Sequence, residues 1–522
     1  MHRLPALFLI LLTLAAPVAA QTPATLSERI ESVIGRPEFR HAHWGIEFLD
    51  LQTNQPVYAL NADKLFVPGS TTKLLTAGTA MALLGAEHRF KTRIYRTGEI
   101  GPGGVLKGDL VLVASGDPNL SGRVRADGTL AFENQDHSYA GDPHTHAVPG
   151  DPLRVIRDLA AQVAAKGIRR VEGRVLVDAS LFAEGERELG TGVVISSVVV
   201  NDNLVDLTVG PGAESGAPAT LTASPVTSYV RFVNRIETGA PDSRPMIRIA
   251  EDVAEADGSR RVTVAGSFPG GQAPILYSYP VPEPSRFAQV VLAEALAEKG
   301  VAVKAVRSGG AVDFAALAKS YTDERAVAEH VSPPLREEVK VTLKVSQNLH
   351  ASMTPPLLAA LLRKDKDQTG FDLEREFLTS LGLDLSGAQQ ADGAGGDAHF
   401  TPAFMVAYLA AMAKRPDFPF FHAALPILGR DGTLFDIQKD SPAAGHVFAK
   451  TGTYGVDDPL NRRILVTGKG LAGYLTTADG RRLAFAIYVN NVSVSREPNE
   501  IKRVVGQALG EIAAAAYDAP LR

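Results

Sequence analysis

The first residues in which apolar positions recur at helical spacing run from about Leu26 to Ile34, which predicts a short amphipathic helix. Two stretches with strand character follow, His43 to Leu51 and Pro56 to Leu60, around the turn Gln52-Thr53-Asn54-Gln55. Pro68-Gly69 breaks the pattern, and Ser70 to Leu84 reads as an apolar helix ending near Gly85. From Phe90 to about Glu329 the texture changes to short strands, Gly/Pro-rich turns and two isolated helices. Predicted strands there include Asp109 to Ala114, Gly173 to Asp178 and Val198 to Val209, the last with part of the alternation of a half-buried sheet. From about Ser332 long helices return, and the chain closes with a strand pair and a helix over Asn499 to Tyr517.

Two segments in the middle echo each other. Pro152 to Gly167 and Ser285 to Gly300 are both Ala-rich helical patterns closed by Lys-Gly and followed by a strand, with Gly where a helix ends in left-handed geometry. They read as two halves of one α/β unit. The stretch between them, about Gly190 to Pro284, is β-rich and carries Gly210-Pro211-Gly212 and Gly270-Gly271. The expected organisation is therefore one unit from residues 24–89 and 330–522, a second from 90–189 and 285–329, and a β-rich unit, 190–284, nested within the second. The fold class is α/β in the broad, mixed (α+β) sense.

The N-terminal end changes the expected compartment. His2 and Arg3 precede an apolar run, Leu4 to Leu14, and Val18-Ala19-Ala20 supplies small residues, so residues 1–20 are expected to be a signal peptide cleaved after Ala20. The run is about eleven residues, too short for a stable membrane anchor. With no cysteine anywhere, a lipoprotein anchor, disulfides, thiolate metal sites and a Cys nucleophile are all excluded. The expected product is an exported protein of the periplasm, or of the cell wall or exterior, without a transmembrane anchor. A net charge of −5 gives no electrostatic case for nucleic acid.

Three short patterns could carry chemistry. Ser70-Thr-Thr-Lys73 puts a hydroxyl and an amine one turn apart on a helix face, where a lysine of lowered pKa can act as base for the serine. The plainer reading is a helix cap and a solvated lysine, and a chain this long holds about one or two such matches by chance. Ser346-Gln-Asn348 offers a hydroxyl and a carboxamide two residues apart; alone it reads as a cap or loop. Lys450-Thr451-Gly452-Thr453, after His446-Val-Phe-Ala, reads as a strand delivering a cation, a hydroxyl and a glycine for close backbone approach.

In this order the three resemble the signature of penicillin-binding proteins and serine β-lactamases. Ser70 and Ser346 lie 276 positions apart, and Ser346 and Lys450 lie 104 apart, so a long insertion separates the first two patterns. That layout is similar to the class C low-molecular-mass penicillin-binding proteins, the D-alanyl-D-alanine carboxypeptidase/endopeptidase family. The resemblance extends to Asn61–Ala77 around the serine, Gly108-Asp-Leu-Val-Leu-Val-Ala-Ser-Gly-Asp-Pro, Asn201-Asp-Asn-Leu-Val-Asp, Leu425-Pro-Ile-Leu-Gly-Arg-Asp-Gly-Thr-Leu and Gly470-Leu-Ala-Gly-Tyr.

The resemblance implies a transpeptidase-like domain with an antiparallel five-stranded sheet between helical layers, built from both ends of the chain, with two further domains inserted. It implies that Ser70 attacks the carbonyl between two D-alanines, with Lys73 as base and Ser346 relaying the proton. Asn348 would orient the substrate amide and Lys73. Lys450 and Thr451, with Gly452 and Thr453 in the same strand, would hold the terminal carboxylate, and the N–H groups of Ser70 and Thr453 would form an oxyanion hole. No cofactor is implied. The implied partners are peptidoglycan stem peptides ending in D-Ala-D-Ala, with β-lactams as covalent inhibitors.

The chain departs from the pattern at Asp392-Gly-Ala394-Gly, where the family usually has Asp-Gly-Ser-Gly, at Ser352-Met-Thr-Pro-Pro356, and in a longer segment between Thr453 and Gly470 that is expected to border the cleft. Two other readings compete. A β-lactamase or D-amino-acid esterase or amidase on the same scaffold would turn over a β-lactam quickly, and a non-catalytic wall-binding protein would not bind penicillin covalently. His137, His144 and His146, with Asp136 and Asp142, form a His/Asp-rich loop whose geometry nothing fixes; the expectation is a solvated polar loop and no metal site.

Overall fold

Along the strand Arg482–Asn490 successive side chains enter two different cores. Leu483, Phe485, Ile487 and Val489 join one apolar cluster, and Ala484, Ala486 and Tyr488 join another. The period-two alternation of a strand thus makes this one a wall shared by two helical layers. The computed structural model describes residues 24–304 and 312–521; the expected signal peptide lies outside them.

The strand sits at the centre of an antiparallel sheet ordered Val447–Asp458, Arg463–Thr476, Arg482–Asn490, His43–Asp50, Gln55–Leu60. Trp44 pairs with Val489 and Gly45 with Tyr488, so both ends of the chain build it. A sixth strand, Val492–Val494, pairs with Ile464 to Val466, one strand more than the five expected. Asn491 has φ +65°, a left-handed turn that asparagine tolerates, and it folds this short strand onto the end of Arg463–Thr476. One face is covered by the helices Leu26–Ile34 and Gln507–Asp518, the first opened by a Thr25–Glu28 capping box. The other carries Lys73–Leu84 and Pro402–Met412.

The insertion has its own four-stranded sheet, in the order Ala326–Val331, Lys91–Arg96, Leu110–Val113, Val175–Asp178. The echoing helices are Arg154–Ala165 and Pro284–Glu298. Gly167 (φ +84°) and Gly300 (φ +75°) follow them in open space, so backbone conformation rather than crowding explains these glycines. Two three-stranded sheets lie between the helices, one around Leu204–Gly210 and one around Arg260–Pro269.

The strand expected over Val198 to Val209 is shorter, Leu204–Gly210, because Asn201, Asp202 and Asn203 all have φ near +50° and form a buried polar turn. Just before it, Val193, Ile195 and Val199 pack against Leu349 and Met353, which brings the insertion onto the helix that follows Ser346. No helix among the described residues is long and apolar enough to cross a membrane.

Candidate active site

Ser70 lies in a single 3-10 turn, Gly69–Thr72, that runs directly into the helix Lys73–Leu84. Thr71 and Thr72 donate side-chain hydrogen bonds to the carbonyls of Pro68 (3.0 Å) and Gly69 (2.9 Å), fixing the turn. Gly69 has φ +52°, and a Cβ on it would stand 2.5 Å from the Thr453 nitrogen, so the position requires glycine on both counts. Gly452 answers from the other side, where a Cβ would come within 1.9 Å of the Pro68 oxygen. The two glycines let the Lys450–Thr453 strand press onto the serine turn, with the backbone nitrogens of Ser70 and Thr453 at the junction.

Lys73 is fully buried, and its Nζ donates to Ser70 Oγ (2.7 Å), Asn348 Oδ1 (2.7 Å) and the Ala394 carbonyl (3.1 Å). Burial pulls its pKa down to about 7, against the opposing pull of the Glu188 and Asp392 carboxylates. Lys450, also fully buried, donates to Ser346 Oγ (2.9 Å) and the Thr451 carbonyl (2.8 Å). Burial, and after it the charges of Lys73 and Lys469, holds it well below the usual lysine range. Thr451 Oγ1 donates to Thr433 Oγ1 at 2.9 Å. The six side chains Ser70, Lys73, Ser346, Asn348, Lys450 and Thr451, distant in sequence, thus border one cleft of about 830 Å³ or lie just behind it. Gly452 acts there through its missing side chain.

Ser346 sits between the helices Leu335–Lys344 and Asn348–Leu362 at φ +63°, a left-handed geometry unusual for serine. The sequence motif reads as a helix cap in part correctly: Gln347 accepts from Leu349 N (2.7 Å) and caps the second helix. Its amide also donates to Asp136 Oδ1 at 3.0 Å, tying the turn to the insertion.

That contact opens onto a buried ionic cluster and corrects the expectation of a solvated His/Asp loop. His144 and His146 are exposed, but Asp136 and His137 are buried. Arg123 Nη2 lies 2.6 Å from both Asp136 and Asp202, and His137 bridges Asp202 (2.7 Å) and Asp206 (2.8 Å). His350, two residues after Asn348, lies 2.8 Å from Asp202 and 2.9 Å from Glu338. Asp136, His137 and Asp202 bring potential metal-ligand atoms within 4.8 Å of one another, but the Arg123 guanidinium already supplies the cation between the two carboxylates. Charges in the cluster are each met by an opposite charge, as buried charges must be.

Other groups at the site have no role assigned by the sequence patterns. Tyr139 donates to the Ser346 carbonyl (2.7 Å) and to Asn348 Oδ1 (3.0 Å). Gly190 abuts Asn348, where a Cβ would stand 2.1 Å from its side-chain nitrogen. Asp392 accepts from the nitrogens of Ala394 (2.6 Å) and Gly395 (2.7 Å) and so presents the Ala394 carbonyl to Lys73. Lys469, directly across the strand pair from Thr453, donates to Thr453 Oγ1 at 2.5 Å. Two of these left a signal in the sequence: Asp392, in the Asp-Gly-Ala-Gly stretch that departs from the family pattern, and Lys469, set between two glycines opposite the Lys-Thr-Gly-Thr strand. The longer segment after Thr453 extends the hairpin to Asp458 and Arg463, and its Tyr454, Gly455 and Ile464 line the cleft, as expected for a bordering element.

The chain is 28% identical to a D-alanyl-D-alanine carboxypeptidase of Actinomadura sp. (strain R39), over 94% of this chain and 85% of that protein. It is 23% identical to the D-alanyl-D-alanine carboxypeptidase DacB of Haemophilus influenzae, over 87% and 86% of the two. Its fold matches the crystal structure of penicillin binding protein 4 (dacB) from Haemophilus influenzae with a TM-score of 0.69 at 20% identity, covering 94% of this chain and 99% of that one. The sequence profile of the D-Ala-D-Ala carboxypeptidase 3 (S13) family matches residues 26–509, and the chain belongs to that family of peptidases.

Proposed function

We propose that this chain is a serine D-Ala-D-Ala carboxypeptidase that cleaves peptidoglycan stem peptides through an acyl-enzyme on Ser70 and is acylated there by penicillin. The observation that carries the reading is the 2.7 Å contact between Lys73 Nζ and Ser70 Oγ, with the other partners of that amine, Asn348 Oδ1 and the Ala394 carbonyl, both neutral. A lysine whose pKa is drawn toward neutrality is a competent base for a serine hydroxyl.

Ser70 Oγ attacks the carbonyl of the penultimate D-alanine while its proton passes to Lys73 Nζ. The N–H groups of Ser70 and Thr453 stabilise the oxyanion. The proton then moves by way of Ser346 Oγ, held by Lys450, to the nitrogen of the departing D-alanine, and the C–N bond breaks. Water adds to the Ser70 ester with the same base and releases the shortened peptide. Asn348 holds Lys73 in place, and Lys450, Thr451 and Thr453 form the wall that meets the terminal carboxylate. A cross-linked peptide presents the same D-alanine carbonyl, so endopeptidase action is part of the proposal. The inserted units, 90–189 with 285–329 and the nested 190–284, are proposed as separate domains that close one side of the cleft, and the protein is proposed to work outside the cytoplasmic membrane, in the periplasm.

The test is to incubate the protein and a Ser70→Ala variant with a fluorescent penicillin. A covalent adduct on the parent that is absent from the variant is the expected result. No adduct on either would replace this reading with a non-catalytic wall-binding one, and rapid release of hydrolysed drug would favour a β-lactamase.

A further inference from the structure

Three buried lysines meet around the Ser70 turn, and they differ in where their ammonium groups face. Lys73 and Lys450 are fully buried behind the cleft surface, and each spends its donors on neutral protein oxygens: Ser70, Asn348 and Ala394 for the first, Ser346 and Thr451 for the second. Lys469 is 8% exposed and forms part of the cleft wall together with Thr451 and Thr453. The strand register explains this. Lys469 is opposite Thr453 and Leu471 is opposite Thr451, so residues 451, 453 and 469 share one face of the strand pair.

The Lys469 ammonium has one protein partner of suitable geometry, Thr453 Oγ1 at 2.5 Å. Among the described residues no carboxylate lies within ion-pair distance of it; the neighbouring charge is another cation, Lys502, itself paired with Asp436 at 2.6 Å. An ammonium removed from water without a counter-charge is unfavourable, and an anion bound in the cleft would relieve that.

We propose that Lys469 is a substrate-binding residue that supplies the positive charge for the terminal carboxylate of the peptide, with the hydroxyls of Thr451 and Thr453 beside it. This rests on the carboxypeptidase reading above and changes one assignment within it: Lys450 serves Ser346, and Lys469 serves the carboxylate. With its pKa lowered by burial, and then by Lys502, only to about 8, Lys469 remains mostly charged near neutrality, whereas Lys450 is held well below the usual range.

The experiment compares the binding of an acyl-D-Ala-D-Ala peptide and of its C-terminal amide to the Ser70→Ala protein, with and without Lys469→Met. The expected result is a loss of about tenfold to a hundredfold for the free acid, with the amide unchanged within about twofold. Lys469→Arg should retain most of the acid's affinity. Equal losses for acid and amide, or no loss for the acid, would overturn the assignment; the second outcome would return the carboxylate to Lys450. Because binding is read without acylation, failure of Ser70 to form a penicillin adduct would sink the acyl-enzyme reading and leave this comparison intact.

Discussion

Gly452 lies so close to Pro68 that a methyl group on it would stand 1.9 Å from the Pro68 carbonyl oxygen and 3.1 Å from the Ser70 nitrogen. Its φ is not in the left-handed region, so the requirement for glycine is one of space. Gly452→Ala is expected to push the Lys450–Thr453 strand away from the serine turn and to lower the rate of penicillin acylation by about a hundredfold or more, since misplacements of about 1 Å cost that much. Comparing acylation time courses with thermal melts separates this effect from unfolding, because the displaced segment is a sheet edge and the melting temperature should move little.

If Lys73 is the base, as proposed, it sets the acid limb of the pH profile. With its pKa drawn down to about 7, chiefly by burial, the amine is free to accept the Ser70 proton above that pH and carries its own proton below it. Acylation rates measured across pH about 5.5 to 8.5 should rise with a midpoint near 7. A profile flat across this range would mean that Lys73 is not the base.

The cluster around Asp202 ties stability to alkaline pH. Burial alone would lower the His350 pKa, but Glu338 and Asp202 override it and raise it to about 10. A histidine raised in the fold contributes its full stabilisation below its unfolded value, about 6.5, and loses it progressively as pH climbs through 10. His350→Ala leaves two carboxylates buried beside the gap and should cost about 3–5 kcal/mol near pH 6, from urea midpoints, with a markedly smaller difference near pH 10.

Tyr139 reaches the second motif from the insertion. Tyr139→Phe removes the bonds to the Ser346 carbonyl and Asn348 Oδ1 and nothing else of size. The expected outcome is a fall of about tenfold in acylation rate with an unchanged melting temperature. An unchanged rate would mean that Asn348 is held by Lys73 alone.

The parts of this site legible in the sequence were those whose partners are carried by short strings. Ser70 and Lys73 are one turn apart and Lys450 to Thr453 form one strand; away from the site, Gly167 and Gly300 close their helices as their Lys-Gly context predicts. What stayed hidden depends on distant partners. His137 looked solvated because its local neighbours are polar and loop-like, whereas Asp202, Asp206 and Arg123 come from other parts of the chain to bury it. The strand expected over Val198 to Val209 begins only at Leu204, because apolar periodicity cannot register three consecutive left-handed residues, Asn201 to Asn203. Val492–Val494 escaped because three residues are too few to show a period.

The pairing of His43–Asp50 with Arg482–Asn490 also orders events during synthesis. Ser70 is synthesised long before the strand bearing Lys450, and His43–Asp50 has no Arg482–Asn490 to pair with until nearly the whole chain has been made. Contacts of such high sequence separation are slow to form, and they make activity the last property the chain acquires. A chain cut short before its final strands carries Ser70, the proposed nucleophile, but cannot bring Lys450 to Ser346, so incomplete products should be catalytically silent.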